Sequence, residues 1–320
     1  MGYNILRFHY EGITRWGVVK GDTIEPFADD ADELKDVLSN HLTEAAAIAR
    51  NRALGKIKLT DVAIVSPVTR PTRLLCLGVN YAEHREETKA SKHQTDTLFF
   101  RKDESSITGP FDDIPWPAKE PLFDYEVEVG LIIKKEITEP KSIDTRNIGD
   151  YVGGIILAND LSPRTTMISA PFGQWYKGKS WRNMCPLGPY IHILEEGDIE
   201  KIHDLEIKLW VNDELRQDAH TSQLITKPER ALSEASQFVD LEVGDVVLTG
   251  TPGGVAIKAP NPKLVHLMQL LFPPKKLGEM MVKSQLKSGK FLKKGDTVRC
   301  NLKSSDGSID CGEQMVTIVK

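Results

Sequence analysis

Phe123-Asp124-Tyr125-Glu126-Val127-Glu128-Val129-Gly130-Leu131-Ile132-Ile133 is an apolar run with acidic residues at alternate positions near its start. In a strand, successive side chains leave opposite faces, so Glu126 and Glu128 share one face while Tyr125, Val127 and Val129 share the other. Two like charges held together on so apolar a strand raise each other's pKa and destabilise the fold unless a cation lies between them. A hard divalent ion with oxygen ligands meets that need. A solvated sheet face is the competing reading.

Working outward, Gly153-Gly154-Ile155-Ile156-Leu157-Ala158-Asn159-Asp160 is a second apolar strand ending in an acid. Asp160 falls where the chain leaves a buried sheet, so two strands would supply three carboxylates to one ion. An Asp capping the turn into Ser162-Pro163 is the alternative. With no His or Cys close by in sequence, Mg²⁺ or Mn²⁺ is expected rather than zinc, with Ca²⁺ as a further candidate.

Gly78-Val79-Asn80-Tyr81-Ala82-Glu83-His84-Arg85-Glu86-Glu87 follows a strand and opens a short helix. His84 and Glu87 are three residues apart and share a helical face. They form a candidate pair of general base and orienting carboxylate, against the reading of a solvated, charged helix. Lys179, in Gln174-Trp175-Tyr176-Lys177-Gly178-Lys179-Ser180, could approach an anion, although a surface lysine is the ordinary alternative. Thr249-Gly250-Thr251-Pro252-Gly253-Gly254 leaves a strand into a loop whose N–H groups could hold a carboxylate, or which is a plain turn.

The 320 residues are 40% hydrophobic and 27% charged, a balance that supports a buried core and excludes disorder. Lys+Arg 41 against Asp+Glu 46 leaves a net charge of −5, so no positive field gathers phosphates and nucleic acid is not an expected partner. No apolar stretch approaches the roughly 20 residues that cross a bilayer, and the first residues lack a signal-peptide pattern. Cys76, Cys185, Cys300 and Cys311 form no C-x-x-C pair. A cytoplasmic, reducing location without membrane attachment is therefore expected.

Residues 1–70 read as a small α/β module: strands at Tyr3–His9 and Trp16–Lys20, then a helix from Ala31 to about Leu54, with a boundary near Pro71. Residues 71–320 read as a β-rich body of class α+β. Short helices are expected after Asn80 and over Lys227–Phe238, Pro262–Leu271 and Leu277–Lys287. Val243-Gly244-Asp245 and Lys294-Gly295-Asp296 precede apolar strands as hairpin connections do.

In this order the segments GVNYAEHREE, FDYEVEVG, LANDLSPR, GQWYKGKS with CPLGPYI, VNDELRQD, and LEVGDVVLTGTPGGV followed by FLKKGD resemble the fumarylacetoacetate hydrolase family. The likeness covers roughly residues 71–320 and implies a mixed β-roll catalytic domain that forms a homodimer. It implies a metal held by Glu126, Glu128 and Asp160, with His84 and Glu87 activating water and Lys179 as the active-site lysine. It also implies substrate contacts from Tyr81, Lys102, Arg164 and Thr251. Asp103 stands where the family's F-x-K-P stretch has Pro, Val79 where many members have a basic residue, and Met167 where the hydrolase that names the family has a polar one. The stretch at about 258–291 is longer than usual and is expected to add a helical insertion. The implied activity is metal-dependent cleavage of a carbon–carbon bond in acylpyruvate-type 1,3-diketo acids such as fumarylpyruvate, from aromatic catabolism, through a stabilised pyruvate enolate. An isomerase or decarboxylase of 2-oxo or 2-hydroxydiene dioates or oxaloacetate is the alternative. A non-catalytic ligand-binding relative is a third.

Overall fold

The structure, a computed structural model, describes residues 1–320 except 30, 88–95, 170–172, 259–267 and 269. Its central element is the Val127–Ile133 strand, buried along its whole length, which pairs antiparallel with Val152–Asn159 on one side and Val246–Leu248 on the other. Strands covered on both faces read as continuous apolar runs, which is why both segments are so hydrophobic. The large sheet runs onward from Val152–Asn159 through Cys185–Ile193 to Tyr3–Tyr10 and Ile13–Lys20. In the other direction it passes from Val246–Leu248 to Leu74–Gly78 and Leu98–Lys102.

A second sheet orders Glu214–His220, Leu205–Val211, Thr297–Ser304, Asp310–Val319 and Ile114–Pro115. Side chains alternate along Leu205–Val211, with Leu205, Ile207, Leu209 and Val211 buried. These pack with Val127, Val129, Leu131 and Ile133 into one core between the sheets. The chain is thus mixed and strand-rich, as its pattern implies.

Several expected elements take a different form. The run from Phe123 to Ile133 is not one continuous strand: Phe123–Asp124 pairs with Ser162–Pro163, and the regular ladder begins at Val127. The break has a local cause, since the N–H of Glu126 donates to Asn159 Oδ1 (3.1 Å) and that of Val127 to Gln217 Oε1 (3.0 Å). The long helix after Ala31 runs from Leu34 to Arg50 and contains a π-helical turn at Val37–His41. The turn at Gly244 (φ +90°) is not a hairpin. It delivers Val246–Leu248 into the middle of the sheet, parallel to Leu74–Gly78. The helix over Lys227–Phe238 is found at Pro228–Ala235.

The first 65 residues do not stand apart from the body. Tyr3–Ile5 pairs with Ile191–Ile193, and Ile5, Trp16 and Leu34 share a core with Leu74, Ile156 and Ile191. At this joint His192 faces Asn4, with Nδ1 2.8 Å from Asn4 Oδ1, and burial lowers its pKa to about 4. All four cysteines are buried free thiols.

Within the insertion, the helix expected over Pro262–Leu271 lies for the most part outside the described residues. The one expected over Leu277–Lys287 is found at Pro274–Leu286. Pro274 opens it, where a missing N–H costs nothing. This helix packs on the short helix Arg164–Ser169.

Candidate active site

The Val127–Ile133 and Val152–Asn159 strands pair so that Glu128 lies opposite Ala158 and Val127 opposite Asn159. Asp160 follows directly, its N–H donating to the carbonyl of Glu126 (2.8 Å). That register brings Glu126, Glu128 and Asp160 together. Each offers a carboxylate oxygen, the three atoms lie within 4.8 Å of one another, and all three residues are buried.

Basic groups surround this cluster. Lys179 Nζ donates to Glu126 Oε2 (2.6 Å), Asp160 Oδ2 (2.7 Å) and Ser162 Oγ (2.8 Å). Arg164 pairs with Glu126 through one terminal nitrogen and with Asp124 Oδ2 through Nε (3.1 Å). Lys102 Nζ donates to Asp160 Oδ1 and to the carbonyl of Lys179, both at 2.5 Å. Burial would lower the Lys102 pKa, but the Asp160 carboxylate overrides it and raises the group to about 12. Burial also works against ionised Glu126, yet Arg164 and Lys179 hold its carboxyl far below the usual range.

Glu128 differs. Of the four acids Asp124, Glu126, Glu128 and Asp160, it alone makes no ion pair among the described residues, accepting instead from the N–H of Gly250 (2.8 Å). Burial, then the charges of Asp160 and Glu126, push its pKa well above the carboxylate norm. Four carboxylates thus face three cations, and the uncompensated one belongs to the cluster of three. An oxygen-preferring divalent ion fits this donor set: it would supply the missing positive charge where buried carboxylate oxygens already converge.

Glu126 and Glu128 form the floor of a cavity of about 160 Å³, lined also by His84, Arg164, Lys179 and Thr251, and Asp160 is buried beside them outside the lining. His84 is buried on the helix Ala82–Glu87, and its Nδ1 is 3.6 Å from Glu87 Oε2. The Glu87 carboxylate in turn accepts from the N–H of Gly254, 3.2 Å from each oxygen. Gly254 has φ +97°, and a Cβ there would stand 2.0 Å from the carbonyl oxygen of Arg216, so the loop needs glycine. Thr251 Oγ1 accepts from Gln217 Nε2 (2.8 Å).

Residues 73–318 match the fumarylacetoacetate (FAA) hydrolase C-terminal family. This chain belongs to the fumarylacetoacetate hydrolase family. Its members are enzymes, and so is this chain. Among curated fumarylacetoacetate hydrolase family proteins, it is 33% identical over 261 residues to the mitochondrial oxaloacetate tautomerase Fahd2a of Rattus norvegicus, covering 81% of this chain and 72% of that protein. Against the mitochondrial oxaloacetate tautomerase FAHD2A of Homo sapiens it is 32% identical over 263 residues, covering 81% and 73%. The fumarylacetoacetate hydrolase of Exiguobacterium antarcticum superposes with a TM-score of 0.71 at 26% identity, covering 99% of both chains. Maleylpyruvate hydrolase from Sphingobium sp. SYK-6, solved with manganese(II) and pyruvate, superposes with a TM-score of 0.70 at 25% identity, covering 99% of this chain and 98% of that one.

Not every residue singled out by the family resemblance reaches the cavity. Lys102 is fully buried behind it and spent on Asp160, so its position is that of a support for the floor rather than a wall. Tyr81 is likewise buried outside the lining, with a hydroxyl that has no hydrogen-bond partner among the described residues. Burial, then the nearby Glu128, push its pKa up.

Three supporting residues escape a reading of the sequence. Asp124 holds Arg164 and accepts from the N–H groups of Ala256 (2.8 Å) and Ile257 (3.1 Å). Ser162 accepts from Lys179, and Gln217 ties Val127 to Thr251. Their signals were an acid beside Tyr125 in an apolar stretch, a hydroxyl after Asp160, and an amide in VNDELRQD. No helix among the described residues is long and apolar enough to cross a membrane.

Proposed function

We propose that this enzyme acts on 2-oxo acids by proton transfer at the carbons near the 2-oxo group, and that its reaction is hydrolytic carbon–carbon cleavage of acylpyruvate-type acids. The observation that carries this reading is a cluster of three buried carboxylates, two of them on the cavity floor, with His84 in the adjoining wall and Glu87 beside it. A divalent ion, Mg²⁺ or Mn²⁺ with Ca²⁺ as the alternative, held by Glu126, Glu128 and Asp160, would supply Lewis acidity that polarises the 2-oxo group.

His84 takes a proton from water, and the hydroxide oxygen bonds to C4 of the acylpyruvate. The C3–C4 bond then breaks, its electron pair stays on C3, and the proton from His84 is returned there to give pyruvate and a carboxylic acid. Glu87 orients the imidazole and balances its transient positive charge. Lys179 and Arg164 offset the negative charge that develops on substrate oxygens. The similarity to maleylpyruvate hydrolase supports this reading.

A second reading, keto–enol tautomerisation of oxaloacetate, is favoured by the names of the curated relatives at 32–33% identity. It needs the same proton transfer at C3 without attack by water. A homodimer is proposed from the family resemblance, and light scattering on the purified chain checks it.

Nuclear magnetic resonance of the Mg²⁺- or Mn²⁺-loaded protein with an acylpyruvate and with oxaloacetate in D₂O tests both readings. Appearance of pyruvate plus a second acid is the expected result. Deuterium exchange at C3 of oxaloacetate with no acid released from any acylpyruvate would overturn the hydrolase reading in favour of the second.

A further inference from the structure

Away from the carboxylate floor, the cavity is built from apolar side chains: Val79, Phe100, Met167, Ile168, Trp175 and Ile257. Trp175, 41% exposed, stands at the mouth with its ring centroid 5.8 Å from that of Phe100. Among the described residues, the lysine and arginine side chains that line the cavity are Lys179 and Arg164, and both are bound to carboxylates at the floor. A second carboxylate on the far end of a substrate would shed its hydration here with no lysine or arginine among the described lining residues left to receive it, which is strongly unfavourable. A methyl group in the same place gains by leaving water.

The apolar wall is firmly braced. Met167 is 8% exposed and lies across Gly178, where a Cβ would stand 2.1 Å from Met167 Cγ. Gly178 therefore lets Met167 seat next to Lys179. The helix Arg164–Ser169 that carries Met167 packs against the insertion helix Pro274–Leu286. On that helix, the Gln285 side chain donates to the carbonyl of Lys258 (2.6 Å) and accepts from its N–H (3.1 Å), beside Ile257. One inserted helix thus fixes two sides of the wall.

We propose that the substrate's end remote from its 2-oxo acid head is short, uncharged and apolar, and that Met167 sets this selectivity. The proposal rests on the reading of the enzyme as one acting on 2-oxo acids. The cavity of about 160 Å³ is well under the roughly 300 Å³ at which sites for larger ligands begin, which limits the length of the tail.

Isothermal titration calorimetry of the Mg²⁺-loaded full chain with 2-oxohexanoate and 2-oxoadipate provides the test, since the two have equal carbon counts and end in a methyl and a carboxylate respectively. Binding of 2-oxohexanoate at least about tenfold tighter is expected. Met167→Arg is expected to move that ratio at least about tenfold toward 2-oxoadipate, whereas Met167→Leu, a packing control, keeps the parent ratio. If the arginine variant does not fold, Ile257→Lys makes the same test from another residue of the cavity lining. Equal or tighter binding of 2-oxoadipate by the parent, or an unchanged ratio in a folded cationic variant, would overturn the proposal. Pyruvate is titrated alongside. If pyruvate binds while the tail preference is reversed, only the present proposal fails. If neither pyruvate nor the two longer acids bind the loaded protein, the assignment to 2-oxo acids fails with it.

Discussion

The ammonium of Lys102 stands 2.5 Å from Asp160 Oδ1, and neither side chain reaches solvent. Removing Lys102 leaves Asp160 to share Lys179 with Glu126, so that four buried carboxylates face two cations. Lys102→Met is therefore expected to destabilise the metal-free protein by about 3–5 kcal/mol in urea unfolding. The double variant with Asp160→Asn is expected to lose less than the sum of the single changes. Strict additivity would mean that the pair is not coupled.

Glu128→Gln keeps the shape of the side chain and deletes the charge that lacks a compensating partner. The metal-free variant is expected to be as stable as the parent or more so, and to lose measurable Mn²⁺ binding by calorimetry. A variant that still binds Mn²⁺ like the parent would remove Glu128 from the metal site.

His84→Ala is expected to keep metal binding and lose roughly 10² to 10⁴ in kcat, the usual range for a general base. Glu87→Gln, which preserves the contact with Gly254, should lose less. Steady-state kinetics alongside a metal titration separates the two effects, and an unchanged kcat for His84→Ala would assign the base elsewhere.

Gly254→Ala forces a Cβ to 2.0 Å from the carbonyl oxygen of Arg216 at φ +97°. The loop must shift, and with it the N–H that anchors Glu87. A loss of more than about 1 kcal/mol in thermal unfolding is expected, together with a fall in kcat. Wild-type values for both would show that the loop tolerates the side chain.

The His192 pKa, lowered to about 4 chiefly by burial, makes stability depend on pH. The unfolded chain, with histidine near 6.5, binds the proton more readily than the folded one. Stability is therefore full above about pH 6.5 and declines as pH falls towards about 4, by an amount on the order of 3 kcal/mol. His192→Gln should flatten this window in denaturation curves measured at several pH values. A parent and variant with the same slope would exclude His192 as the source.

Much of the floor was legible because strand alternation is a local rule. Glu126 and Glu128 share a face by period two, and Asp160 ends an apolar strand whose partner is the one carrying those acids. The supporting residues were not legible for the opposite reason. Asp124 acts on Arg164, Ala256 and Ile257, which no pattern around position 124 reports. Lys102 lies on a strand that could present it to either side, and only the packed structure shows that it points at Asp160. The N-terminal strands were visible as strands, but their partners were not. Tyr3–Ile5 joins Ile191–Ile193 through backbone pairing, which leaves no mark on composition.

The parallel pairing of Leu74–Gly78 with Val246–Leu248 joins segments made far apart in time on the ribosome. The Val127–Ile133 strand, which bears Glu128, has Val246–Leu248 as its neighbour on one side, and Gly250 then donates to Glu128. Until those late residues leave the exit tunnel, nascent strands made much earlier present bare hydrogen-bonding edges, the kind of surface that holdase chaperones shield. The carboxylate cluster is therefore completed only after Gly250 has been made.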